Sequence, residues 1–374
     1  MDEYDVAIVG AGPAGSAAAL AARRLGARVL LVDRAAFPRD KPCGDGIAAH
    51  AFDVLRELGV TGVAEGFAPV PALRLVGPGG GEVARPLPRP SYTIPRKVFD
   101  ARIVDAAVAA GVTLCRHTVR DVQFRSGLVV LDGVVAARAV VGADGAHSVI
   151  RRALGQPSNP DGHLAIAIRG YAAATGPVEQ RIVTSAAEWP AYAWSFPIGD
   201  GRANIGYGEV LRGAPVTRAY LLDRLATLLP AVDAGGATDL RAHHLPLSTH
   251  RPIAGRGRLL LAGDAYSLIN PFTGEGIFYA LLSGALAGAA ATAGTERAAR
   301  RYARALRHRL GRHLRHSRVA SWLNGRLWIV DSAVRAAVRE QRVFDAILDL
   351  GLGDGLLRPG TVAAIARSVR GERP

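Results

Sequence analysis

Cysteine and lysine are scarce in this sequence. Only two cysteines, Cys43 and Cys115, occur among the 374 residues, and neither has partners at metal-binding spacing. This pattern excludes a disulfide framework and predicts a reducing, cytoplasmic location and no metal site. Lysine supplies two of the 46 basic residues, so arginine carries almost all of the formal charge of +14. The basic residues are dispersed and form no recognised nucleic-acid module, which argues against nucleic-acid binding.

A secretion signal and a membrane-spanning run are also lacking. The first residues enter a strand directly, without the basic segment and cleavage site of a signal peptide. The longest apolar stretch, residues 277–293, contains Gly284 and Gly288 and is shorter than the roughly 20 residues that cross a bilayer. It therefore predicts a buried helix. The hydrophobic content of 49% is enough to build real cores.

The N-terminal segment carries a dinucleotide-binding pattern. Residues 4–34 read YDVAIVGAGPAGSAAALAARRLGARVLLVDR, which predicts a strand, a glycine turn, a helix and a second strand. Gly10 permits the turn, Gly12 lets the backbone approach a pyrophosphate, and Gly15 lets the helix lie close to the sheet. Asp33 ends the second strand, where it can accept hydrogen bonds from an adenosine ribose.

Two later segments favour a flavin over a nicotinamide cofactor. One strand leads into Asp144 and Gly145, and another ends at Gly263 and Asp264 before a loop and the long apolar helix that begins near Glu275. An aspartate at a strand end can bind a ribityl hydroxyl, and a helix N-terminus can stabilise negative charge on a reduced flavin. The sequence therefore predicts FAD, held without a covalent link.

With these fingerprints in order over residues 1–295, the chain resembles the flavoprotein group of aromatic hydroxylases, flavin halogenases and geranylgeranyl reductases. Two motifs favour the geranylgeranyl reductase family. KPCGDG, residues 41–46, is similar to that family's loop beside the isoalloxazine ring, and YAWSFPIGDGRANIGYG, residues 192–208, is similar to its substrate-domain motif. PRKVFDARIVDAA, residues 95–107, resembles the helix whose arginine, here Arg96, contacts the cofactor. The tryptophan motif and catalytic lysine of the halogenases have no match.

The resemblance implies an FAD-dependent reductase that transfers hydride to carbon–carbon double bonds of an isoprenoid or other apolar substrate. Electrons would come from NAD(P)H or a ferredoxin-like donor. The catalytic candidates are Cys43, Tyr192 and Trp194, and the substrate site would be lined by Tyr192, Trp194, Phe196 and Gly206. The residues expected to bind FAD are Gly10, Gly12, Ala14, Gly15, Asp33, Arg34, Cys43, Gly44, Gly46, Arg96, Val119, Asp144, Gly145, Gly263, Asp264, Gly274, Gly276 and Ile277.

Other interpretations of the same residues stay open. Cys43 can be a small buried hydrophobe. The three aromatics of residues 192–196 alternate along a strand and so share one face. That face can be ordinary sheet core instead of a pocket wall. Two further chemistries fit the same cofactor: a monooxygenase that hydroxylates or epoxidises a natural product, and a cyclase in which the flavin is only a scaffold.

The expected fold is α/β, with a discontinuous Rossmann-like FAD-binding domain formed by residues 1–70, 95–155 and 250–295. Residues 71–94 and 156–249 would form a mostly antiparallel substrate-binding sheet, and residues 296–374 a helical region. Within that region Tyr302, Leu306, Leu310 and Leu314 are spaced at four, which predicts an amphipathic helix with a basic face. This helix either packs on the FAD-binding domain or contacts a membrane surface.

Overall fold

Two eight-stranded β-sheets surrounded by helices make up the residues that the computed structural model describes, 2–174, 176–294 and 296–369. The strands are β1 (Asp2–Val9), β2 (Val29–Asp33), β3 (Gly46–Ile47), β4 (Val70–Val76), β5 (Glu82–Thr93), β6 (Thr113–Arg116), β7 (Val122–Arg125), β8 (Leu128–Leu131), β9 (Val135–Gly142), β10 (Leu164–Ala173), β11 (Gln180–Thr184), β12 (Ala191–Pro197), β13 (Arg202–Val210), β14 (Thr238–Pro246), β15 (Gly255–Arg256) and β16 (Leu259–Leu261). The helices are α1 (Pro13–Arg24), α2 (Ala49–Glu57), α3 (Arg96–Ala109), α4 (Val149–Ala153), α5 (Arg218–Leu228), α6 (Ile277–Ala291), α7 (Ala298–Asn324), α8 (Leu327–Arg339), α9 (Gln341–Leu352) and α10 (Pro359–Val369).

The first sheet has the order β15-β16-β9-β1-β2-β6, and the hairpin β7–β8 attaches to β9. Its central strands run parallel, and their registers place Val9, Gly142 and Leu261 side by side. The segments that follow these strands therefore meet at one edge of the sheet, where nucleotides bind in open parallel sheets. The three fingerprints, which are spread over about 250 residues of the sequence, come together there.

Helices α1 and α6 approach each other through their backbones. A Cβ atom on Gly284 would lie 2.0 Å from the carbonyl oxygen of Ala14, and one on Gly288 would lie 2.0 Å from that of Ala18. Only glycine fits at such a distance, so the apolar stretch predicted as a buried helix is indeed buried against the small-residue face of α1. This packing fixes the N-termini of both helices near the same strand ends.

The second sheet has the order β14-β10-β13-β12-β11-β4-β5-β3 and is antiparallel except between β4 and β11. Strand β3 consists of Gly46, the last residue of the KPCGDG segment, and Ile47, and it pairs with β5. This loop therefore joins the two sheets. The architecture confirms the predicted α/β fold with a mostly antiparallel second sheet and C-terminal helices, while the domain boundaries stay a prediction.

The C-terminal helices cover both halves of the molecule. The apolar stripe of α7, including Tyr302, Leu306, Leu310 and Leu314, is buried with the core of the first sheet. Helices α8 and α9 pack on β5, with Val334 and Phe344 in one core with Leu73, Val83 and their neighbours, and α10 packs on α8 and α9. Of the two interpretations of the α7 stripe, the packed one is therefore observed. None of the helices in the described ranges is both long enough and apolar enough to cross a bilayer.

Candidate functional site

A cavity of about 1180 Å³ extends from the strand ends of the first sheet to the face of the second. Most residues predicted to bind FAD or substrate line it, although three do not. Gly15 lies beneath the turn, where a Cβ atom would come within 1.7 Å of the Gly10 carbonyl oxygen, Gly263 lies against Ala14, and Gly206 lies under the ring of Trp194. These three glycines therefore allow close packing behind the cavity wall.

The first end of the cavity is built to hold a nucleotide. The Asp33 carboxylate accepts hydrogen bonds from the backbone N–H groups of Ala11, at 2.8 Å, and Ala35, at 2.9 Å, which fixes it beside the glycine turn. A Cβ atom on Gly12 would meet only the guanidinium of Arg39, at 3.5 Å, so space remains above the turn. No side chain caps the N-terminus of α1, which begins at Pro13, so its first N–H groups have no side-chain partner, as in pyrophosphate sites.

Two aspartates, Asp144 and Asp264, also line the cavity. One carboxylate oxygen of Asp144 accepts the N–H of Val149 at 2.6 Å, while its other oxygen is buried and has no hydrogen-bond partner among the described residues. Asp264 lies 3.1 Å from the ammonium of Lys41. Although burial favours the neutral acid, Lys41 and then His243 hold the pKa of Asp264 below its usual range. A ligand with hydroxyl groups, such as the ribityl chain of FAD, could donate a hydrogen bond to the unpaired oxygen of Asp144 and another to the carboxylate of Asp264.

Hydrogen bonds fasten the KPCGDG loop to the second sheet. Asp45, buried and with a φ of 59°, accepts hydrogen bonds from the hydroxyl of Tyr171, at 2.6 Å, and from the amide of Asn204, at 2.8 Å. The same amide donates to the backbone carbonyl of Cys43 at 2.8 Å, and the indole of Trp194 donates to the Asn204 oxygen at 2.8 Å. The loop and the aromatic strand β12 are therefore held in one network.

Cys43, within this loop, and Arg96, beside it, differ in charge. Burial raises the pKa of the Cys43 thiol, so the thiol is neutral at physiological pH, and a neutral thiol is a weak hydrogen-bond donor and a poor nucleophile. Arg96 lies beside it and makes a bidentate ion pair with Asp100, at 2.7 and 2.8 Å. Both residues line the cavity, so a ligand bound beside the loop would meet a neutral thiol and a guanidinium that is paired with Asp100.

The three aromatics of β12 all face the cavity. Trp194 is buried, Tyr192 donates a hydrogen bond of 2.6 Å to the carbonyl of Thr273, and the ring of Phe196 lies close to Gly44 and Gly46. The strand therefore contacts both the KPCGDG loop and the loop before α6. This placement favours a pocket wall over an isolated sheet core.

Comparisons with known proteins agree with this geometry. A family described as an FAD binding domain matches residues 3–169. The menaquinone reductase of Mycolicibacterium smegmatis is 36% identical over 319 residues, which cover 78% of this chain and 76% of the relative. The chain belongs to the geranylgeranyl reductase family of FAD-dependent oxidoreductases. FAD is thus the cofactor of this flavoenzyme, as predicted.

Two further relatives agree. Digeranylgeranylglycerophospholipid reductase 2 of Methanopyrus kandleri is 33% identical to the flavoenzyme over 323 residues, covering 79% of this chain and 78% of the relative. The crystal structure of a geranylgeranyl bacteriochlorophyll reductase-like protein from Thermoplasma acidophilum superimposes with a TM-score of 0.81 at 22% identity, covering 98% of this chain and 97% of that one. That likeness shows the shared fold.

Among the ionisable residues that line the cavity and were not predicted as site residues of the flavoenzyme, Glu275 has a raised pKa. Glu275 is 9% exposed, lines the cavity between Gly274 and Gly276, and accepts the N–H of Phe278 at 2.8 Å. Burial raises its pKa to about 7. The sequence signal for this site residue is an acid within the apolar and glycine-rich stretch PFTGEGIF. When the flanking segments are buried, the acid between them is buried too, and burial perturbs its pKa.

The far end of the cavity was also missed by sequence reasoning. It is formed by β4 and β11 of the second sheet and by α8 and α9, and its apolar lining comprises Leu73, Leu75, Ile182, Val330, Val334, Ile347 and Leu348. The periodicity of a helix shows which face is apolar but not which other element that face will contact. The C-terminal helices of the flavoenzyme are therefore part of the site.

Proposed function

We propose that this flavoenzyme reduces carbon–carbon double bonds in the isoprenoid chain of a lipid. The observation that carries the proposal is the continuity of the cavity, which leads from the nucleotide end past Cys43 and Trp194 to an apolar end built by β4, β11, α8 and α9. A long hydrocarbon chain fits such a lining, and a polar headgroup does not. The names of two relatives, menaquinone reductase and digeranylgeranylglycerophospholipid reductase, support the same substrate class.

Bound and reduced FAD would supply the hydride for one carbon of the double bond. The protein would hold the chain against the aromatic face of β12 and exclude water from it, which favours transfer between groups held in a fixed geometry. Asp33, Asp144 and Asp264 would bind the hydroxyls of the cofactor, and the turn at Gly12 its pyrophosphate. NAD(P)H or a ferredoxin-like protein would provide the two electrons.

The second carbon requires a proton, and we assign it to Glu275. Its carboxyl lines the cavity beside the residues predicted to contact the flavin ring, and its pKa, raised to about 7, keeps it largely protonated below neutral pH and partly protonated at neutral pH. The hydrogen bond from the N–H of Phe278 fixes the orientation of the carboxyl group. The neutral Cys43 thiol would orient the alkene from the opposite loop.

The test is product identification. The FAD-loaded enzyme, reduced without oxygen, is given either a polyprenylated naphthoquinone or a digeranylgeranyl glycerophospholipid, and the products are weighed by mass spectrometry. A gain of two hydrogens per reduced bond, located in the isoprenoid chain by fragmentation and not in the quinone ring, supports the proposal and shows which lipid is used. A gain of one oxygen when air is admitted would indicate a monooxygenase, and an isomer of unchanged mass would indicate a cyclase; either result contradicts it.

A further inference from the structure

Two tryptophans are exposed where α7 ends and α8 begins. Trp322 is 63% exposed and Trp328 is 56% exposed, and Val319, one turn before Trp322, is 50% exposed. The other two tryptophans of the chain, Trp189 and Trp194, line the cavity. Because tryptophan is usually largely buried, a pair of exposed rings within seven residues marks an interaction surface.

Positive charge surrounds these rings. Residues 297–330 contain ten arginines and no acidic residue. Arg315 and Arg318 are exposed and lie two turns and one turn before Trp322 on the same face of α7, since they precede it by seven and four residues. The guanidinium of Arg326 lies 3.9 Å from the centre of the Trp322 ring. Tryptophan framed by arginine is typical of surfaces that bind the headgroup region of an anionic bilayer.

The exposed rings lie next to the apolar end of the cavity. Asn324 and Val330, each two residues from one of the exposed tryptophans, line that cavity. The indole of Trp189, also in the lining, donates a hydrogen bond to the carbonyl of Asn324. A lipid that left a bilayer at Trp322 and Trp328 would therefore meet the cavity wall within a few residues.

We propose that this tryptophan surface, formed by Arg315, Arg318, Val319, Trp322, Arg326 and Trp328, docks on an anionic lipid bilayer. It brings the apolar end of the cavity to the membrane that holds the substrate. The identity of the lipid that enters the cavity rests on the proposed function. Docking on the bilayer does not depend on that function. The contact differs from the one expected for the apolar stripe of α7, because that stripe is buried in the protein.

The test measures binding of the FAD-loaded protein, without substrate, to vesicles of phosphatidylglycerol and phosphatidylcholine and to vesicles of phosphatidylcholine alone. We expect sedimentation with the anionic vesicles, weakened by salt, and quenching of tryptophan fluorescence by brominated lipids. The double variant Trp322→Ala/Trp328→Ala should bind roughly tenfold more weakly or worse, since two interfacial rings are lost. The matched control is Phe124→Ala, which removes a ring that is 62% exposed on β7, outside the tryptophan surface, and should bind like the wild type.

Flavin content and circular dichroism establish that the variants are folded. Equal vesicle binding by wild type and double variant, or no binding by the wild type, overturns the proposal. A third result also overturns it: the wild type is a dimer, the double variant is a monomer, and neither binds vesicles. The surface would then contact a second copy of the chain. A protein that binds vesicles but reduces no isoprenoid lipid refutes the proposed function alone, and one that reduces detergent-dispersed lipid but binds no vesicles refutes the docking alone.

Discussion

Replacing Glu275 with glutamine tests whether a buried acid holds a proton at the cavity. Burial raises the pKa of Glu275 from an ordinary value of 4.5 to about 7, while nearby Arg96 and the N–H groups of Ile277 and Phe278 partly oppose the increase. The folded protein therefore keeps this proton to a higher pH than the unfolded chain. The resulting stability is fully present below the unfolded pKa and is lost as the pH rises through about 7. The full difference corresponds to about 3 kcal/mol.

Glutamine resembles the protonated acid and does not ionise. The free energies of unfolding of wild type and Glu275→Gln, measured by urea denaturation, should be similar near pH 4 and diverge above it, with the variant more stable by up to about 3 kcal/mol above pH 7. The reduction rate of the wild type should fall as the pH rises through about 7. The rate of the variant should be low throughout and lack this decline.

The matched control is Glu65→Gln, which changes an exposed glutamate away from the cavity and should show no such divergence. A stability difference between Glu275→Gln and wild type that is constant from acid to alkaline pH would refute the reasoning. It would mean that Glu275 is already ionised in the folded protein at neutral pH and has no proton to give.

Three further predictions concern the cofactor and the substrate wall. Gly12→Val, which fills the space above the turn, and Asp264→Ala should each yield a colourless protein, and normal FAD content by absorbance would show that the cofactor is misplaced. Trp194→Ala should keep FAD but weaken use of long apolar substrates by roughly 3 kcal/mol in kcat/KM; loss of folded protein with unchanged activity per molecule would instead identify a core residue. Cys43→Ala should keep fold and FAD but lower the rate or change which double bonds are reduced, with Cys43→Ser intermediate, whereas a wild-type rate and pattern in both would make Cys43 a packing residue.

The nucleotide end of the site could be predicted because its signals are local. Gly10, Gly12 and Asp33 lie in one strand–helix–strand unit whose spacing determines their geometry. The KPCGDG loop was also found from its own residues, and so was the alternation of aromatics on β12. In each case the residues that act together are close in sequence.

The remainder depends on contacts between distant segments. Asn204 joins Asp45 and Trp194 only because β13 lies beside β12 and the loop crosses to the second sheet. The raised pKa of Glu275 comes from burial, which sequence does not measure directly. The apolar end of the cavity requires α8 and α9 to pack on β4 and β5. The apolar periodicity of these helices does not show which strands they will contact.

The most direct test of the central claim is an anaerobic single turnover. The enzyme is loaded with FAD, reduced with one equivalent of dithionite, and mixed with a polyprenylated naphthoquinone whose ring is already reduced to the quinol, so that only the side chain can accept hydride. We predict that flavin absorbance returns without oxygen, at a rate that depends on substrate concentration, and that each flavin oxidised yields one lipid with two additional hydrogens. Flavin that stays reduced until air is admitted, with product that gains oxygen or no mass, would contradict the account.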